Sequence, residues 1–210
     1  MAHIPDGLLS LPVLIGGGAV AATGVAMGLR SIDDRAIPRI AILSAVFFSA
    51  SLLSVPVGPS SVHVLLSTLM ALMLGPGIFP AVLVALLLQT ILFGFGGLTT
   101  LGVNTINIAL PGFVVALLIG SMIRRASSPM SASVIGAVGA AVAVFGTGGL
   151  VAISLWLSSS DYVPAAKVLL VTYLPLSIGE ALICGTVIGF LKKTSPETLF
   201  PRLAEKGASA

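Results

Sequence analysis

Two residues near the start of the chain raise the first chemical question: His3 and His63 are the only histidines present. His3 sits beside the amino end, in the stretch MAHIPDG. Adjacent residues there offer an amine, a backbone amide that can lose its proton and an imidazole, which together close small chelate rings. Imidazole nitrogens suit nickel, copper, zinc and iron, and a planar set of nitrogens favours a d⁸ or d⁹ ion such as Ni(II) or Cu(II). The donor set depends on Met1. With Met1 kept, its amine, two amides and the His3 imidazole fill a plane unaided. With Met1 removed, as is usual before a residue as small as Ala2, the Ala2 amine, the His3 amide and the His3 imidazole fill three corners, and His63 is the one other imidazole able to close the fourth. Every donor must shed its proton to bind, so affinity is expected to fall below about pH 6.5, the ordinary histidine value.

The elements that position these residues belong to a membrane. Hydrophobic residues make up 57% of the 210 and charged residues only 8%, and the mean hydropathy is +1.16; no soluble domain has this balance. A span needs roughly 20 apolar residues. That ruler divides the chain into about seven segments: Leu8–Leu29, Pro38–Val55, Val62–Leu74, Ile78–Phe95, Val103–Ile123, Ala132–Leu157 and Ala165–Leu191. The third is short for a span, which implies little tilt or a flanking buried loop. The breaks between them, such as VPVGPSS (Val55–Ser61), GPG (Gly75–Gly77) and GFGGLTTLG (Gly94–Gly102), are rich in Gly, Pro, Ser and Thr, as turns should be. The expected fold is all-α: one integral membrane domain over residues 1–210, a polytopic bundle of about seven transmembrane helices in the cell (inner) membrane. Residues 1–7 form its head and residues 192–210 a short tail.

Charge sets the orientation. The net charge is +3, but the basic residues sit in gaps between apolar runs and form no stripe for nucleic acid. Alternating sides places Arg30, Arg35, Arg39, Arg124, Arg125, Lys192, Lys193, Arg202 and Lys206 on one face and Lys167 alone on the other. Short cytoplasmic loops carry the Lys/Arg excess, so the N-terminus is expected outside and the C-terminus in the cytoplasm. The His3 head, the Val55–His63 loop and the Gly94–Gly102 loop then share the extracytoplasmic side. Ala2–Gly7 carries no Lys or Arg and contains Asp6, unlike a cleavable signal, so the N-terminus is expected in the mature protein. The single cysteine, Cys184, excludes an internal disulfide and reads as a packing residue.

Polar residues inside apolar spans are costly unless satisfied. Metal-bound imidazoles also direct their second nitrogen to an oxygen acceptor. Asp6, Ser60, Ser61, Gln89, Asn104, Thr105 and Asn107 are the candidates for that surrounding shell, although interhelical hydrogen bonding alone also accounts for Gln89, Asn104 and Asn107. Asn104 and Asn107 share a helix face by their spacing. Glu180 is the one carboxylate well inside the last span, serving the fold or a partner. The small-residue runs Gly16–Gly28 and Gly136–Gly149 mark close helix contacts, within the bundle or with a partner. No G-x-x-x-x-G-K-[ST] phosphate loop occurs, so the energy for any transport comes from elsewhere.

The motifs HIPDG (His3–Gly7), the long block VPVGPSSVHVLLSTLM through GFGGLTTLGVNTINIALPG (Val55–Gly112) and LPLSIGEALICGTVIGFLKKTSPETL (Leu174–Leu199) carry a family resemblance over nearly the whole length. The chain resembles the membrane substrate-binding component of energy-coupling factor (ECF) transporters for cobalt and nickel, the CbiM/NikM type. The resemblance implies a near-planar nitrogen site formed by Ala2 or Met1, His3 and His63. It also implies a transmembrane coupling component, paired ATP-binding subunits and a small accessory membrane subunit. Co(II) or Ni(II) would be transported cargo, for cobalamin synthesis or nickel enzymes, with no cofactor of the chain's own. The family typically begins Met-His; here Ala2 intervenes, and removal of Met1 restores the spacing.

Two other classes compete. An intramembrane metalloenzyme requires H-E-x-x-H or a Ser–His pair with an open coordination position, and neither motif is found, so no catalytic residue is expected. A stand-alone secondary transporter requires repeats and several intramembrane carboxylates, and Glu180 is one.

Overall fold

The computed structural model describes residues 3–34, 36–52, 54–57 and 60–199. Met1, Ala2, Arg35, Arg202 and Lys206, on which expectations above rest, lie outside them. Seven α-helices follow in order: α1 Leu11–Ser31, α2 Ile37–Leu52, α3 Ser67–Leu74, α4 Ile78–Phe93, α5 Leu101–Arg125, α6 Pro129–Ser158 and α7 Val163–Thr194. Four of them, α1, α5, α6 and α7, are long and apolar enough to cross a membrane alone; α3 and α4 taken together over Ser67–Phe93 make a fifth such stretch, and α2 is shorter. Local signals set the ends. Pro129 opens α6 behind Ser128, whose hydroxyl accepts from the Ser131 amide at 3.1 Å, an N-cap arrangement. Gly94, at φ +67°, closes α4 and returns its amide to the Thr90 carbonyl at 3.1 Å, a conformation that favours glycine.

Two departures from the sequence expectation matter for the site. The bundle is helical but carries a small antiparallel hairpin between α2 and α3: β1 Ser54–Val57 and β2 Ser60–His63, with Ser54 opposite His63 and Val57 opposite Ser60. The segment expected to span from Val62 to Leu74 holds only the eight-residue α3, so the flanking part is non-helical, in keeping with its short apolar run. The expected breaks at GPG and GFGGLTTLG do fall between helices.

Close helix packing explains the small-residue runs. A Cβ on Gly17 would meet Val103, on Gly24 Phe79 and on Gly28 Pro80 and the Pro76 carbonyl, which seats α1 against α5, α4 and the GPG turn. Gly136 and Gly148 likewise face Ile188 and Tyr173 of α7. Those positions serve the bundle itself, while Gly16, Gly18 and Gly149 have open space. Phe47, Leu65, Ile78, Ile108, Cys184 and Ile188 lie in the buried core, and Leu11, Ile15, Leu117, Leu118, Val171 and Leu182 point outward. Outward-facing leucines of this kind suit lipid rather than water.

Candidate metal centre

The hairpin and the head meet at one end of the bundle. The His3 and His63 rings lie 4.7 Å apart, centroid to centroid, and within 17° of parallel. Both residues are 4% exposed. The His63 Nδ1 lies 3.1 Å from the Val64 carbonyl, a partner that assigns the proton to Nδ1 and leaves a lone pair on Nε2. That Nε2 and both ring nitrogens of His3 have no hydrogen-bond partner among the described residues. Burial pushes the His3 pKa down to about 3, with the adjacent His63 adding to the shift. Burial also pushes His63 down to about 4, against the opposing pull of the Val64 carbonyl. Both imidazoles are therefore neutral at physiological pH, with lone pairs available to a cation.

Two anchors hold the head. The Asn104 side chain grips the Ile4 peptide from both ends: its oxygen accepts from the Ile4 amide at 2.9 Å and its nitrogen donates to the Ile4 carbonyl at 3.0 Å. Thr100 Oγ1 donates to that same carbonyl at 2.7 Å. Asp6 accepts from the amides of Leu98 and Thr99 at 3.2 and 3.0 Å and from the Thr99 hydroxyl. The Thr99 hydroxyl holds the Asp6 carboxyl below the usual carboxylate range, aided by neighbouring backbone amides. The loop lies so close that a Cβ on Gly97 would fall 2.0 Å from Asp6 Oδ1, and one on Gly96, at φ +78°, would stand 3.4 Å from the His3 Cβ. The glycines of this loop therefore let it fold over the head.

The remaining candidates divide. Gln89 donates to Ser51 Oγ at 2.6 Å, tying α4 to the end of α2 just before the hairpin, and does not bond either histidine. Thr105 turns its hydroxyl back to the Leu101 carbonyl of its own helix at 2.8 Å. Asn107 lines a separate groove of about 530 Å³ between α1, α5 and α6. Ser60 and Ser61 are described only as strand backbone in β2. Among the described residues no group of three His, Cys, Asp or Glu side chains gathers. Sequence reasoning missed Thr99 and Thr100. A threonine just before a helix reads as an N-cap, but Thr100 makes no cap for α5 and spends its hydroxyl on Ile4 and Gly97 instead.

The apolar spans mark a multi-pass membrane protein, and its similarities place it in the metal-transport class. The profile of the cobalt uptake substrate-specific transmembrane region, CbiM, matches residues 3–198, and the chain belongs to this cobalt and nickel transport family. A Haemophilus influenzae protein with a provisional metal-transport name is 36% identical over 94% of this chain and 96% of its own. The fused nickel transport protein NikMN of Rhodobacter capsulatus is 28% identical over 96% of this chain and 65% of its own. A crystal structure of a transition metal transporter, 27% identical, superposes with a TM-score of 0.70 over 91% of this chain and 92% of that one.

Proposed function

We propose that this chain is the specificity subunit of an ECF-type ATP-driven transporter, capturing Co(II) or Ni(II) at the extracytoplasmic side between His3 and His63. The observation that carries this reading is the pair of buried, stacked imidazoles, each with an unprotonated ring nitrogen that has no hydrogen-bond partner among the described residues. Buried polar atoms are normally paired, and a cation supplies the missing partner. Ala2, through its amine, and the His3 amide complete a planar nitrogen set in which His63 Nε2 takes the fourth corner; if Met1 is retained, its amine and the additional amide replace His63. Cobalt and nickel are both named among the relatives, and planar nitrogens favour Ni(II).

The proposed topology has seven crossings, the third made by the non-helical Val64–Leu66 and α3, with the head outside. Lys192 reaches the Arg124 carbonyl at 2.8 Å, which gathers the basic helix ends of α5 and α7 at one end of the bundle. That is the pattern of a cytoplasmic face. The energy comes from a membrane coupling component with paired ATP-binding subunits, joined by a small accessory membrane subunit. Glu180 speaks against a proton-driven carrier, because its carboxylate is engaged by backbone amides.

Isothermal titration of the detergent-solubilised chain with Ni(II) and Co(II) tests the site. Tight binding is expected in the wild type and its loss in His63→Ala. Uptake measured with and without an ATP-hydrolysing partner tests the assembly, and uptake by the chain alone would overturn it.

A further inference from the structure

The carboxylate of Glu180, in the membrane-spanning part of α7, lies against the backbone that follows His63. It accepts from the Leu65 amide, and from the Leu66 amide through Oε1 at 2.9 Å and Oε2 at 3.2 Å. Cys184, one turn further along α7, directs its thiol to Oε2 at 3.4 Å. Glu180 is 2% exposed, and Leu65 and Leu66 are buried beside it.

The backbone geometry explains why a carboxylate stands there. Leu66, at φ +52°, is the only non-glycine residue with positive φ among the described residues. Successive amides running into a left-handed residue converge on one point and form an anion-binding nest. Leu66 is also the N-cap of α3, and that cap has no side-chain hydrogen bond of its own. The positive end of the α3 dipole adds to the attraction. Non-helical backbone within the membrane is tolerated only where its amides find partners inside the protein. Val64–Leu66 breaks the helical path, and Glu180, 115 residues later in the chain, supplies the acceptors.

The same short segment carries His63. Its Nδ1 is held by the Val64 carbonyl, the Leu65 and Leu66 amides are held by Glu180, and β2 lies beside α7. We propose that Glu180 is a positioning residue for the metal, fixing the Val64–Leu66 backbone so that His63 Nε2 faces His3. This inference rests on the His3–His63 reading of the site. It assigns the intramembrane carboxylate to the outer arm of that site and makes α7 the element against which the arm is set.

The test uses the full chain in detergent, with Ni(II) alone as the probe, followed by calorimetry and by the visible absorption of the bound ion. Loss of a residue that orients a metal ligand typically costs about 10–100-fold in affinity. Glu180→Leu, which has no acceptor, should weaken Ni(II) binding by that amount and shift the absorption of the bound ion toward that of His63→Ala. Glu180→Gln keeps one oxygen for both amides and should stay within about threefold of wild type. In a His63→Ala background, Glu180→Leu should change the residual binding by less than about twofold, because two residues acting through one ligand are not additive. Wild-type affinity and absorption in a Glu180→Leu protein with a lowered melting temperature would overturn the inference, since the residue would then serve only the fold. Equal losses with and without His63 would overturn it too. Where Glu180→Leu does not fold, Glu180→Asp carries the test: its carboxylate is drawn back by one methylene, so at least about fivefold weaker binding is expected and wild-type affinity refutes it. Should His63→Ala bind Ni(II) like wild type, the metal site itself fails. Should only His63→Ala lose binding, the site stands and Glu180 does not belong to it.

Discussion

The two histidines reach the same place by opposite means. His3 belongs to a head with no regular structure, clipped by side chains from α5 and the Gly94–Gly102 loop: Asn104, Thr100 and the Asp6–Thr99 pair. His63 belongs to a strand, and the backbone two and three residues further on is fastened by a buried carboxylate. The head's anchors are graded, from the buried Asn104 and Thr100 to the exposed Asp6, whereas the arm's anchor is wholly inside the bundle. A site built this way has one half held by side chains that reach a coil and one half held through the backbone that follows it.

Disabling either half should separate them. The largest effect is expected from His63→Ala, which should abolish tight Ni(II) binding while leaving the melting profile close to wild type; near-native affinity by titration calorimetry would contradict it. An added N-terminal residue or tag should be as damaging from the other side, because it turns a donor amine into an amide. Intact mass should show Met1 missing. A retained Met1 would instead predict that the tag is fatal and His63→Ala mild, so measuring mass and both variants together separates the two chelates.

Smaller effects fall on the anchors. Asn104→Leu leaves the Ile4 N–H and carbonyl without their amide partner, and an unsatisfied buried group costs about 1–3 kcal/mol. Metal affinity should fall about 10–100-fold, read by the same titration. Asp6→Asn keeps an acceptor at an exposed position and should change affinity by no more than about fivefold; a loss as large as that of Asn104→Leu would show that the grading is wrong.

Acidity tests the buried pair from another direction. The folded imidazoles protonate only near pH 3 and 4, whereas those of the unfolded chain take protons below about 6.5. The unfolded state therefore binds more protons as pH falls through that window. Metal-free stability should be level above about pH 6.5 and decline below it, by at most about 1.4 kcal/mol per pH unit for each histidine. Thermal melts of wild type and of a His3→Ala, His63→Ala double variant measure this, and the double variant should lose the slope. Metal competition at the rings is shifted correspondingly, so a fall in affinity already at pH 6.5, as the sequence suggests, would come from the amine and amide donors.

Much of the bundle was legible because long apolar runs and Gly/Pro breaks follow directly from the membrane's thickness. The meeting of His3 and His63 was legible too, since both sit at the ends of runs on one side. The surroundings were legible only in part. Asn104 and Asn107 share a helix face, but three residues advance a helix by about 4.5 Å, which leaves Asn104 on the Ile4 peptide and takes Asn107 to a different groove. Thr105 points back along its own helix, a choice that spacing does not encode. Glu180 stood out as an ionisable residue in a span, yet its partners are main-chain amides. Every residue but proline carries one, so no pattern of side chains announces which will be reached.

The broken path of the third segment hands its alignment to other parts of the bundle. Pro76 packs against Gly28 near the far end of α1, while His63 lies beside His3, just before that helix begins. From Leu11 to Gly28, α1 covers about 27 Å as a helix. The third segment takes a different route, through the non-helical Val64–Leu66, where Leu66 turns left-handed, and then the eight-residue α3. No continuous helical ladder runs along it, so its course is set by tertiary partners, the Glu180 carboxylate at one end and α1 at the other. The His63 end of that path is thus held by a residue distant in the chain, whereas the head is held by α5 and the loop that precedes it.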